Sequence, residues 1–160
     1  MQATDQDDGA RAAAKATAKK PSFFKMRAQM LEEGRTNTAL AWTDNMWATL
    51  KVYASGGENA LHTHPHEDHT FFVLQGMARY YDADGGYTDV GKHEGIMLPA
   101  GAYYWFEAIS EEPLVLVRVG CRVGPQDADG RLNIRGEPMP GDSKENKRVP
   151  VVYRDGEFFE

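Results

Sequence analysis

From Ala39 to Val119 the chain alternates short runs of aromatic and β-branched residues with glycine, proline, aspartate and asparagine at close intervals. That texture predicts strands joined by tight turns, as in an all-β barrel or sandwich. The expected strands are 39–43, 46–53, 60–64, 69–74, 77–82, 87–90, 96–98, 103–109 and 114–120. Turns fall at Gly56-Gly57, Gly76, Asp84-Gly85-Gly86, Gly95 and Pro99-Ala100-Gly101, where the chain has residues that accept unusual backbone angles.

The flanks read differently. Residues 1–20 hold seven alanines, three aspartates and four basic residues with few larger apolar groups, so they have no face to bury and are expected to be a disordered tail. Residues 21–38 include Phe23, Phe24, Met26, Met30 and Leu31, an anchoring arm or short helix ending at Gly34. Residues 39–120 are the barrel. Residues 121–160 read as a long irregular arm, punctuated by Gly124-Pro125, Asp129-Gly130, Gly136, Pro138, Pro140 and Gly141. It closes on Val149 to Tyr153 and Phe158-Phe159, an apolar end expected to dock on its own barrel or on a partner. A homodimer is the expected assembly, with residues 21–33 or 149–160 covering a partner's exposed strand edge.

Composition narrows the class. A chain of 160 residues, 41% apolar and 26% charged, is one ordinary globular domain. Its longest apolar runs, Ala102 to Phe106 and Leu114 to Val117, fall far short of the roughly 18 residues that span a bilayer. The net charge of -6 argues against nucleic acid, whose phosphates need a basic face. The N-terminus opens with Asp5, Asp7 and Asp8 and lacks the apolar core of a secretory signal, which with a single cysteine points to the cytoplasm. That cysteine, Cys121, has no activating partner in sequence and is expected to be a buried structural thiol.

The chemistry sits in one place. Of five histidines, His62, His64, His66 and His69 fall within eight residues. Residues two apart on a strand share a face, so His62 and His64 aim two imidazoles at one spot. Pro65 interrupts the strand, and His69 opens the next apolar run, where it can return a third imidazole. Neutral imidazole is the commonest metal ligand, and three with open positions left over can hold both metal and substrate. Exposed histidines in water, or adventitious metal binding, is the plainer alternative.

The spacing Gly56, five residues, His62-Thr63-His64, four residues, His69, six residues, Gly76 resembles the first motif of the cupin superfamily, and Pro99-Ala100-Gly101 resembles part of the second. The resemblance covers roughly residues 40–120 and implies an all-β cupin barrel, a double-stranded β-helix or jelly roll. Two positions depart from the pattern. His69 stands where many cupins carry a glutamate ligand, and Tyr104 where they carry a final histidine. Carried over, the ligands are His62, His64 and His69, with His66, Glu67 and Asp68 competing for the third place; His69 alone keeps six residues before Gly76. Tyr104 can ligate, hydrogen-bond a substrate as a catalytic residue, or fill the barrel. His93 replaces a residue common in the second motif and reads as a surface or rim position.

Resemblance to three-histidine cupins implies one divalent metal ion, iron above nickel, copper, zinc or manganese, and a dioxygenase-like oxidoreductase acting on a small aromatic or enolisable molecule. A metal-dependent lyase, isomerase or hydrolase without redox change, or a non-catalytic ligand-binding cupin, are the alternatives. Alternation from His69 sends Phe71 and Val73 inward, and from Tyr104 it sends Phe106 and Ala108 inward, lining an apolar, aromatic pocket. Tyr53, Arg79 and Arg118 are candidate polar contacts there.

Overall fold

The computed structural model describes residues 20–125, 130–141, 143, 146 and 149–160; the tail expected over residues 1–20 lies, but for Lys20, outside them. The described residues hold twelve strands and no helix: β1 (Ala28–Glu33), β2 (Arg35–Trp42), β3 (Met46–Tyr53), β4 (His62–Thr63), β5 (Glu67–Gln75), β6 (Met77–Tyr81), β7 (Tyr87–Gly91), β8 (Gly95–Leu98), β9 (Tyr103–Ala108), β10 (Leu114–Arg122), β11 (Leu132–Asn133) and β12 (Val152–Phe159). Among them no helix is long and apolar enough to cross a membrane. Two five-stranded sheets, in the orders β2-β3-β10-β5-β8 and β11-β4-β9-β6-β7, make the jelly-roll barrel, and β1 with β12 forms a separate two-stranded ribbon. Every ladder between strands is antiparallel.

Alternation along β3 and β10 sorts side chains into two cores. Tyr53, Leu114 and Leu116 join Phe71, Val73, Tyr80, Tyr104 and Phe106 inside the barrel. The residues between them, Leu50, Val52 and Val115, face outward and are buried by Ala28, Met30 and Leu31 of β1, with Val151 and Phe159 packed alongside. This explains why β3 and β10 read as nearly continuous apolar runs: each is covered on both faces. Burying one such large side chain is worth about 1.5–3 kcal/mol.

Two glycines are required by their surroundings. Gly76, the closing glycine of the histidine motif, takes a φ of 75° between β5 and β6, a region side chains disfavour. Gly120 lies against Trp47, and a Cβ there would fall 2.3 Å from two indole carbons.

Some elements differ from expectation. Residues 28–33, open to either an arm or a short helix in sequence, form a strand because Met30 and Leu31 bury against the outer face of β3 and β10. The barrel sheet begins at Arg35, four residues before the expected start, and the C-terminal arm ends in an eight-residue strand whose register shifts twice along its partner. That strand pairs with β1 of its own chain, from Ala28 opposite Phe159 to Glu33 opposite Val152.

Candidate metal centre

The histidine motif is folded by its own punctuation. Strand β4 is only His62 and Thr63, paired to Tyr104 and Tyr103 of β9. Pro65, which has no N–H to give, follows in a turn and releases the chain into β5. The turn is tied to the Pro99-Ala100-Gly101 segment by two bonds: Gly101 N–H donates to the His64 carbonyl at 3.0 Å, and Ala100 N–H donates to Asp68 Oδ1 at 2.7 Å. Asp68 thus points out of the barrel and holds the second motif against the first. His66 also turns away from the cluster and packs against Gly124.

His62, His64 and His69 are all buried. His62 Nδ1 lies 2.7 Å from the Ala60 carbonyl and His64 Nδ1 lies 2.5 Å from the Gly130 carbonyl. A carbonyl only accepts, so each Nδ1 carries its proton and each Nε2 presents a lone pair. His69 Nε2 lies 3.0 Å from Glu67 Oε2, which also lies 3.3 Å from His64 Nδ1. The other nitrogens, His62 Nε2, His64 Nε2 and His69 Nδ1, are buried without a hydrogen-bond partner. The ring centroids of His64 and His69 are 4.2 Å apart, and His62 sits 5.2 Å from His64 and 4.6 Å from Tyr104.

Ligand atoms of His64, Glu67 and His69 lie within 4.8 Å of one another; His62 falls outside this set, its ring 5.2 Å from that of His64. Glu67 and His69 are therefore neighbours rather than competitors. Two residues apart on β5, they share the inner face, which the same alternation that placed Phe71 and Val73 could have shown. Imidazole nitrogens with fixed tautomers and a half-buried carboxylate form a donor set compatible with a borderline divalent ion.

Burial sets the protonation states. Desolvation, helped by the nearby Arg131, lowers His62 to about 2; desolvation also lowers His64 to about 3 and His69 to about 4, against the opposing pull of Glu67. All three are neutral at pH 7. Burial works to raise the Glu67 carboxyl, but its bonds with His64 and His69 outweigh that and hold it below the usual carboxylate range. Burial pushes the Tyr104 phenol up to about 12 although Arg118 and Arg131 pull it down. It stays a neutral hydrogen-bond donor.

The expected pocket residues are sorted by the strands. Tyr53, Phe71, Val73 and Phe106 are buried in the inner core. Arg118 faces inward, opposite Phe71 on β5 and Thr49 on β3. Arg79 faces outward, where it grips Asp89 with bonds of 2.6 and 2.8 Å, so it is no pocket residue. His93 is exposed in a turn with a φ of 71°. Cys121 corrects the expectation of a buried thiol: it is exposed. Gly120 takes the inward place against Trp47, and alternation turns Cys121 outward beside Met46 and Asp68. Lys51 and Arg131 were not singled out in sequence. Lys51 was findable, two residues before Tyr53 on the same face of β3. Arg131, in an irregular arm, gives no periodic signal.

Residues 49–120 match the family model described as the cupin domain, a span that contains both motifs. That span of the chain is a cupin domain. Solved cupin-like structures carry the same fold. A conserved protein with a double-stranded β-helix domain from Klebsiella pneumoniae is 18% identical with a TM-score of 0.55, over 78% of this chain and 88% of that one. KdgF from a Halomonas species is 20% identical with a TM-score of 0.55, over 64% of this chain and 96% of that one. The cupin domain of Cnp3 from Schizosaccharomyces pombe is 19% identical with a TM-score of 0.51, over 55% of this chain and 64% of that one. At these identities the likeness is one of fold. No curated protein matches the chain.

Proposed function

We propose that this cupin is a metal-dependent enzyme of small organic molecules, a dioxygenase-like oxidoreductase that holds one divalent ion, iron above all, on His62, His64 and His69. The observation that carries the reading is the set of three buried imidazole nitrogens without partners, beside ring nitrogens tied to Ala60, Gly130 and Glu67. Leaving three such groups in a barrel is costly unless something takes their lone pairs. An ion there supplies a Lewis acid for substrate oxygens and, where it is iron, a path for electrons to dioxygen. Phe71, Val73, Phe106 and Tyr53 pack together in the inner core next to the histidines, an apolar and aromatic surround that keeps water from them. Tyr104, beside His62, donates a hydrogen bond to a substrate oxygen.

Tyr104 also favours a second reading. A neutral phenol next to a Lewis-acid site suits an isomerase or lyase, in which an oxyanion forms without redox change. Metal analysis of protein purified without a histidine tag, followed by oxygen uptake against phenolic and diketone compounds, separates the two. Uptake that tracks iron content supports the oxidoreductase; substrate turnover on a redox-inert ion without uptake supports the second reading. Protein that takes up no metal sinks both. We also propose a cytoplasmic home and a homodimer, the latter tested by light scattering at micromolar concentration.

A further inference from the structure

Inside the barrel, the polar atoms that lack partners are not confined to the histidines. Arg118 stands on the inner face of β10, in line with Leu114 and Leu116, and its Nε is buried without an acceptor. Arg131 enters from the segment between β10 and β11, directly after the Gly130 carbonyl that holds His64, and its Nη1 is buried without an acceptor. Tyr53 Oη and Thr49 Oγ1, which flank Lys51 on the inner face of β3, are likewise buried and unbonded. Arg35 makes the contrast. Its guanidinium is used structurally, on the Gly57 and Gly141 carbonyls and the Asn59 side chain.

The Glu67 carboxylate is already bonded to His64 and His69. Among the described residues no ion pair involves Arg118 or Arg131. A buried guanidinium nitrogen without an acceptor is expensive, and on these half-buried side chains the planar fork matches a carboxylate.

We propose that Arg118 and Arg131 form a carboxylate-binding site at the barrel, so that the substrate is a small organic acid. The inference rests on the reading of the barrel as a substrate site and names the class of substrate. Both guanidiniums lie close enough to Tyr53, Tyr104 and His64 to act on their ionisation, and burial lowers the Arg131 pKa, as a cation short of an anion requires.

The test uses benzoate, its neutral amide benzamide, and inorganic phosphate as probes of the full-length protein, by calorimetry, on metal-free and metal-loaded samples. Benzoate should bind both samples and benzamide should bind at least about tenfold more weakly. Arg118→Gln and Arg131→Gln should each weaken benzoate by about tenfold or more while metal content stays at the wild-type level, and Arg131→Lys should recover part of the loss. Equal binding of benzoate and benzamide by the wild-type protein would overturn the proposal whether or not the variants fold. Phosphate binding without benzoate binding would overturn it too and point to a phosphate ester. Benzoate binding to a protein that takes up no metal would uphold the carboxylate site while sinking the metal-dependent reading.

Discussion

His64 donates through Nδ1 to the carbonyl of Gly130, 66 residues further along the chain, at 2.5 Å. This one bond fixes which ring nitrogen of His64 is free and seats the segment that delivers Arg131. A site that reads as local in sequence is therefore completed by the C-terminal arm.

Glu67 accepts from His69 and touches His64, so it orients two imidazoles at once. Glu67→Gln keeps the shape and removes the charge. It should lower metal affinity about 10- to 100-fold, as loss of an outer partner does, measured by competition with a chelator. Unchanged affinity would show that Glu67 only fills space.

Tyr104→Phe should keep a full complement of metal and lower turnover by about 10- to 100-fold, because a neutral phenol with its pKa pushed up to about 12 acts as a hydrogen-bond donor rather than a ligand. A charge-transfer band in iron-loaded wild-type protein that disappears in this variant would instead make the phenolate a ligand. Full activity with full metal would leave Tyr104 as packing alone.

The metal-free protein should lose stability as pH falls below about 6.5. His62, His64 and His69 are lowered to about 2, 3 and 4, so below the ordinary histidine value the unfolded chain binds protons that the folded chain refuses. Their contribution is complete above pH 6.5 and is lost as pH falls toward the folded values. Urea midpoints at pH 8 and pH 5 measure it; equal midpoints in wild-type protein would contradict the buried, neutral state.

Gly120→Ala should destabilise by about 1–3 kcal/mol, because the new Cβ meets an indole stacked on Trp42 and edge-on to His69. Denaturant unfolding gives the loss, and tryptophan fluorescence should shift with it. A variant as stable as wild type would mean that Trp47 has room to move.

How much of this was legible in the sequence depends on burial. Strand β3 matches the expected 46–53 at both ends, because its residues bury on both faces and its ends are set by Asn45 and Ala54 outside the ladder. That His62, His64 and His69 come together as buried rings was legible from their spacing and from the motif it resembles. Glu67 was visible in the period of β5 but was weighed as a rival to His69, although a two-residue period lets both face inward. Cys121 was misjudged because a glycine before it hid which face the alternation had reached. Arg131 and the bond to Gly130 lie in a segment without period, placed by contacts distant in sequence.

The central claim is that His62, His64 and His69, and not the cluster of histidines as such, hold the metal. Metal content of tag-free wild-type protein, His64→Ala and His66→Ala tests it most directly. Wild type and His66→Ala should each carry stoichiometric metal and His64→Ala should lose most of it, since His64 is buried in the cluster while His66 packs away from it on Gly124. Equal losses in the two variants, or none in either, would contradict the account.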